Sequence, residues 1–305
     1  MQDHGRPGIA VIALLSLITV LAWGTWIPVA QAVPGVPQRT RTLYVTVGNV
    51  MFAGAVLAIV GGHLAFGWRT FWLPLAGGIV WTLGNYCAFQ ASEAIGLARA
   101  AGSWTPLNII VAFAWGAALF GELNGLTGTR FAVLAGALLL VVTGVLIIVR
   151  SQGAGPAAGP TSGTYRRGLM WAAGAGVLWG SYFVPAQWAG VSAQVGNFPL
   201  AVGILIGGLA LAVPGGGPVR LAAKGVTVHL AAGLLFGIGN LALLGLVSRV
   251  GTGAGFTIGQ LSLLVNASVG IWVFKVPQPG SLAAKLVMSG VLIAGTGGAV
   301  IGTLR

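Results

Sequence analysis

Residues 21–31 read LAWGTWIPVAQ, and residues 177–187 read VLWGSYFVPAQ. Trp23 and Gly24 in the first run answer to Trp179 and Gly180 in the second, and Gln31 answers to Gln187. Pro28 and Pro185 fall one residue out of register. A second pair of runs is GGIVWTLGNYCAFQASEAIGLA at 77–98 and AGLLFGIGNLALLGLVSRVGTG at 232–253. At a constant offset of 155, Gly78 pairs with Gly233, Trp81 with Phe236, Gly84 with Gly239, Asn85 with Asn240 and Gly96 with Gly251. Single matches mean little in a chain with 52 glycines, but a Gly-Asn dipeptide repeated with fixed flanking spacing is a stronger sign. Self-similarity at a fixed period marks a duplicated unit.

Outside these runs the chain is mostly apolar. Of 305 residues, 15 are basic, 3 are acidic and 56% are hydrophobic. A soluble globule carries about a quarter charged residues; here 6% are charged, so most of the surface must face lipid. A helix of about 20 apolar residues crosses a bilayer core. Ten such segments are expected, near 9–31, 44–65, 71–92, 99–120, 129–149, 168–188, 197–214, 227–247, 253–275 and 283–303. The sequence therefore predicts an all-α, multi-pass protein of the cell (inner or plasma) membrane with ten transmembrane helices. Residues 1–150 form a first five-helix repeat, 151–167 a Gly/Pro/Ser-rich linker, and 168–305 a second five-helix repeat. Five is odd, so the second copy enters the membrane in the opposite sense. Inverted repeats place a substrate site near the midplane, and rocking about it gives alternating access.

The formal charge of +12 does not imply nucleic acid, because the basic residues stand singly near helix ends. They act as orientation signals under the positive-inside rule. Counting them by side places both termini outside the cytoplasm. Cys87 is the single cysteine, which excludes an intrachain disulfide or thiolate cluster. The acids are Asp3 in the amino-terminal tail, Glu93 near the end of the third segment, and Glu122 closing the fourth. His63 and His229 fall near expected helix ends, where interfacial packing is the plainer reading. Two-carboxylate catalysis, a Ser–His–Asp triad and a metal cluster each need groups absent in useful combination. No enzyme activity, cofactor or metal is expected. Glu93 is the candidate for proton coupling, since an acid within the membrane is a functional candidate by default; an interfacial anchor is the alternative.

The helices instead carry uncharged polar and aromatic side chains. A buried amide offers donors and acceptors suited to hydroxyl groups, and aromatic walls suit the apolar face of a sugar ring. Trp23, Gln31, Trp81, Asn85, Trp179, Gln187 and Asn240 are the expected substrate-binding set. Trp81 and Asn85 are four apart and share a helix face, as do Phe236 and Asn240. The competing reading has asparagines bonding between helices and tryptophans in an interfacial belt. Pro28 and Pro185 are expected to bend or break matching helices and to serve as gates. The small-residue spacings, such as Gly203 with Gly207, are read as close helix contacts.

The WG…P runs, the GxxWxxGN stretch followed by IGLA, and the FGE closing the fourth segment resemble bacterial glucose/ribose porters of the drug/metabolite transporter superfamily. The L-rhamnose–proton symporters look like a sibling branch with a similar WxxGN stretch. The resemblance implies a ten-helix transporter and uptake of a small neutral sugar, coupled to protons, within membrane lipid. Export of amino acids or other small metabolites is the alternative. A non-transporting membrane scaffold is a third class.

Overall fold

The computed structural model describes residues 6–60, 66–121, 127–151, 161–191, 193–215, 217–250 and 252–302. All regular structure among them is helical. Before the linker come α1 (Arg6–Gln31), α2 (Gln38–Val60), α3 (Trp68–Ile95), α4 (Leu97–Phe120) and α5 (Gly128–Arg150). Next comes α6 (Ser162–Trp179), whose first residues fall inside the expected linker 151–167, and then α7 (Val184–Trp188), α8 (Ala193–Ala212), α9 (Ala223–Val250), α10 (Thr252–Gln260), α11 (Ser262–Ser268) and α12 (Leu282–Gly302). A π-helical turn, Val269–Val273, extends α11.

Among the described residues, seven helices are long and apolar enough to cross a membrane: α1, α2, α4, α5, α8, α9 and α12. The sequence predicts ten segments, and the remaining three correspond to α3, α6 with α7, and α10 with α11. Helix α3 runs 28 residues but is diluted by Arg69, Asn85, Gln90 and Glu93. Helix α6 stops at Trp179; Gly180–Phe183 form a turn, and α7 then resumes. Pro185 lies in the first turn of α7, where its missing N–H breaks no helical bond. Pro28 lies inside α1, which nevertheless continues to Gln31. Helices α10 and α11 are separated at Leu261. Interruption, more than polarity, shortens the last two.

The outside is apolar and the polar side chains sit within. Ile9, Leu139 and Met170 are exposed, whereas Thr42, Thr46, Asn49, Thr82, Asn85 and Asn240 are buried. That distribution suits lipid as solvent, where interhelical hydrogen bonds and close packing hold helices together. Helix α3 packs on α8 and α6, α9 packs on α2 and α1, and α5 packs on α12. Gly78 lies against the α8 backbone at Leu200–Ile204, and Gly233 against the α2 backbone at Val45–Asn49. The reciprocal contacts are Gly203 on Leu75 and Gly48 on Leu230; a Cβ at any of these four would strike backbone. Thr82 adds a bond across one crossing, its hydroxyl donating to the Ile204 carbonyl at 2.8 Å.

Two cations counted as orientation charges are buried. Arg41 donates to the Ala30, Val33 and Val36 carbonyls at 2.8, 3.2 and 3.4 Å, capping the end of α1. Arg99 donates to the Ser151 hydroxyl at 3.1 Å and its carbonyl at 3.3 Å, beyond the end of α5. Tyr165, on α6, donates to the Val149 carbonyl at 3.0 Å and closes the same helix end. Helices α3 and α4 meet with only Gly96 between them, at φ 80°, a value that favours glycine.

Candidate functional site

A cavity of about 50 Å³ lies where α1, α3, α4, α6, α9, α10 and α11 converge. Its walls are Trp23, Trp26 and Ile27 of α1; Trp81 of α3; Trp104, Thr105 and Asn108 of α4; and Trp179 with Tyr182 at the α6 break. Phe236 of α9, Phe256 and Gln260 of α10, and Ser262 and Asn266 of α11 complete them. The volume admits a few waters, at about 10–15 Å³ each. Among the described residues, no charged side chain lines it.

The aromatic rings form one connected set. Trp26 is its hub, with ring centroids 5.8 Å from Trp81, 6.2 Å from Trp179 and 5.5 Å from Phe236. Trp81 and Phe236 are 4.3 Å apart, and Trp81 stacks on Trp179 at 6.0 Å. These spacings are those of favourable aromatic pairs. Two glycines let the outer indoles lie flat on their neighbours. A Cβ at Gly84 would come within 2.7 Å of Trp179 Cδ1, and one at Gly239 within 2.5 Å of Trp23 Cδ1.

Three polar atoms in this wall are buried without a hydrogen-bond partner: Trp23 Nε1, Asn108 Oδ1 and Asn266 Oδ1. An orphaned buried group costs about 1–3 kcal/mol, and these three are atoms that water or a hydrogen-bonding ligand in the cavity would satisfy. Trp179 differs, its Nε1 donating to the Trp81 carbonyl at 3.1 Å. The Asn266 amide nitrogen donates to the Ser262 carbonyl at 3.2 Å and the Trp23 carbonyl at 3.5 Å, which fixes its free oxygen.

The family described as Sugar transport protein matches residues 14–304. The chain belongs to this family. A Lactiplantibacillus plantarum protein named for sugar uptake is 22% identical, covering 96% of this chain and 99% of its own. A second protein of that organism, named for ribose uptake, is 26% identical over 85% of this chain and 87% of its own. One of Priestia megaterium, named for glucose uptake, is 22% identical over 92% and 93%. A solved crystal structure superposes with a TM-score of 0.62 at 21% identity, covering 97% of this chain and 98% of that one, and shares the fold. With seven membrane-crossing helices and this family, the chain is a multi-pass protein of the cell membrane.

Of the residues singled out in the sequence, Trp23, Trp81 and Trp179 meet at the cavity of this sugar transport family member. Asn85 is fully buried one turn behind Trp81, outside the lining, and both its amide atoms lack partners. Asn240 is buried one turn behind Phe236, also outside the lining, and donates to Asn197 Oδ1 at 3.3 Å. Gln31 closes α1 and Gln187 lies in α7, both half-buried and away from the cavity wall. Pro28 is buried in α1 and Pro185 half-buried in α7. Glu93 is exposed near the end of α3 and accepts a hydrogen bond from Gln38 at 2.8 Å. Asp3, His63 and Glu122 lie outside the described residues.

The expected set omits Trp26, Trp104, Asn108, Gln260 and Asn266 from the wall. Trp26 follows Trp23 by three residues, a spacing that shares a helix face. Asn108 and Asn266 are 158 apart rather than 155, so a search at one offset passes over them. Allowing a three-residue slip between α4 and α11 would have found the pair.

Proposed function

We propose that this chain is a secondary transporter of a small neutral sugar of the glucose, ribose or rhamnose kind, taken up with protons by alternating access. The observation that carries the reading is the uncharged cavity itself, aromatic on its faces and edged by orphaned donor and acceptor atoms. Trp81 and Trp179 stack against the sugar ring, with Trp26 between them. Trp23 Nε1 donates to a hydroxyl oxygen, while Asn108 and Asn266 accept from hydroxyl hydrogens. A monosaccharide exceeds the present volume, so the walls part to admit it. Asn85, one turn behind Trp81 with its amide free, then comes within reach, and Asn240 occupies the matching place behind Phe236.

All ten segments cross the membrane in this reading, with 1–150 and 168–305 as inverted repeats joined by 151–167. Support comes from contacts that recur in pairs. The α3–α8 crossing through Gly78 and Gly203 has its counterpart in the α9–α2 crossing through Gly233 and Gly48. Likewise Gly84 seats Trp179 as Gly239 seats Trp23. Gln31 and Gln187 then lie towards opposite mouths, and Pro28 and Pro185 mark the helix ends that move. Glu93 stands at one mouth, in reach of the protons that enter with the sugar. The relatives named for ribose and glucose uptake favour this substrate class.

Counterflow tests the assignment: proteoliposomes loaded with unlabelled glucose, ribose or rhamnose are diluted into the labelled sugar. Transient accumulation of at least one sugar, lost in Trp23→Ala, is the expected result. Absence of exchange for every neutral monosaccharide tried would remove the sugar reading.

A further inference from the structure

One titratable group inside the bundle has no part in the cavity. His229, in the second turn of α9, is fully buried. Its Nδ1 lies 2.6 Å from the Gly225 carbonyl oxygen, which can only accept. The hydrogen of the neutral ring therefore sits on Nδ1, and Nε2 is a bare acceptor. Nε2 is buried with no hydrogen-bond partner, and the Ala30 backbone is among the groups near enough to act on the ring. A carbonyl oxygen can only accept, so it forms no bond to a bare Nε2 until that nitrogen carries a proton.

That same Ala30 carbonyl is held by Arg41. The Arg41 guanidinium binds three carbonyls at the end of α1, stands 5.6 Å over the Phe89 ring and feels the Glu93 carboxylate. Phe89 in turn meets Trp26 edge-on at 6.1 Å. Ala30 follows Trp26 by four residues, one turn along α1 from the cavity wall. Arg41 and His229 thus converge on one carbonyl whose helix carries the hub of the aromatic wall.

We propose that His229 is the proton-accepting group of this transporter, coupled to the sugar cavity through the Arg41 clamp on the end of α1. Protonation gives Nε2 a hydrogen to donate to the Ala30 carbonyl, which must then be shared. It also sets a second positive charge beside Arg41, a cost relieved when the guanidinium withdraws towards Glu93. Withdrawal frees the α1 end and Phe89, and with them Trp26. Besides Arg41, α2 carries Arg39 and Tyr44, and α9 itself carries Lys224 five residues before His229. Tyr44 of α2 has its ring 6.5 Å from the imidazole, and α8 and α10 contain no titratable residue. The proton enters from water and returns to it, with no bond to the sugar.

The inference rests on the proton-coupled sugar reading, and two measurements keep the two apart. The first uses proteoliposomes with His229→Gln, whose amide can still donate to Gly225. Counterflow is expected to persist, while accumulation driven by an imposed pH gradient falls about tenfold. Gradient-driven accumulation equal to wild type in His229→Gln, or its absence in wild type that still exchanges sugar, overturns the role of His229 and leaves the sugar reading standing.

The second measurement needs no sugar. Val33→Cys, in a Cys87→Ser background, reports the freedom of the α1 end through its rate of modification by a soluble thiol reagent. As pH falls from about 8 to about 4, through and below the range in which an ordinary histidine gains its charge, that rate is expected to rise relative to the same protein with His229→Gln. An unchanging ratio overturns the proposal even if no sugar is ever found to be transported.

Discussion

Trp179 and Trp23 occupy matching seats with different freedom. Each indole lies against a glycine, Gly84 for the first and Gly239 for the second. Trp179 spends its N–H on the Trp81 carbonyl, whereas Trp23 has no partner for its own. The same contrast recurs one turn on, where Asn240 is bonded to Asn197 and Asn85 is bonded to nothing. Residues before the linker thus hold spare hydrogen-bonding capacity at these positions, and their counterparts after it are committed to structure.

The glycine seats give the largest expected effect and the first way to break this comparison. An alanine methyl at Gly84 would press on an indole pinned by its hydrogen bond, and overpacking of that kind costs about 1–3 kcal/mol. Gly84→Ala is expected to lower the unfolding temperature and to reduce counterflow at least about tenfold. At Gly239 the methyl meets Trp23, which no hydrogen bond holds, so the ring can tilt. Gly239→Ala is expected to retain more stability while still weakening uptake. Equal losses of stability in both would mean that the Trp179 bond does not set the difference.

The indole nitrogens come next. Trp23→Phe removes a donor that is free in the structure, so KM for the sugar is expected to rise about fivefold, or ~1 kcal/mol, with unfolding unchanged. Trp179→Phe leaves the Trp81 carbonyl without its side-chain donor and is expected to lose stability by about 1 kcal/mol with a smaller change in KM. Kinetics and thermal unfolding of the two variants, measured side by side, would sharpen or reverse the assignment of roles.

Much of the architecture could be read from residues alone, for identifiable reasons. Lipid tolerates few charges, so the apolar runs announce helices, and the glycines of the two Gly-Asn pairs, Gly84 and Gly239, each lie against an indole. The interruptions at Gly180–Phe183 and Leu261 were less legible, since hydropathy averages over a break. The site was legible in kind but not in detail. Tryptophan abundance predicts an aromatic wall, and three of the wall's indoles, Trp23, Trp81 and Trp179, follow from the repeat. Asn108 and Asn266 do not, because the offset between α4 and α11 slips by three residues. Arg41 and Arg99 read as surface charges because a sequence does not show which helix ends lack a cap. His229 read as interfacial because nothing local reveals that Arg41 lies beside it.

The smallest expected change in KM concerns the two asparagines behind the wall. Asn240→Ala leaves Asn197 Oδ1 buried without its donor, which costs about 1–3 kcal/mol, so stability should fall while KM stays close to wild type. Asn85→Ala deletes two polar atoms that bond to nothing in this conformation. Removing unsatisfied groups offsets the loss of packing, so unfolding should barely move. Its effect belongs to the conformation in which the walls have parted. There the free amide meets sugar, and a rise in KM of about threefold is expected from one lost hydrogen bond. Should Asn85→Ala unfold early with KM unmoved, Asn85 is a structural residue like its counterpart, and the division between a committed half and a free half ends at the indoles.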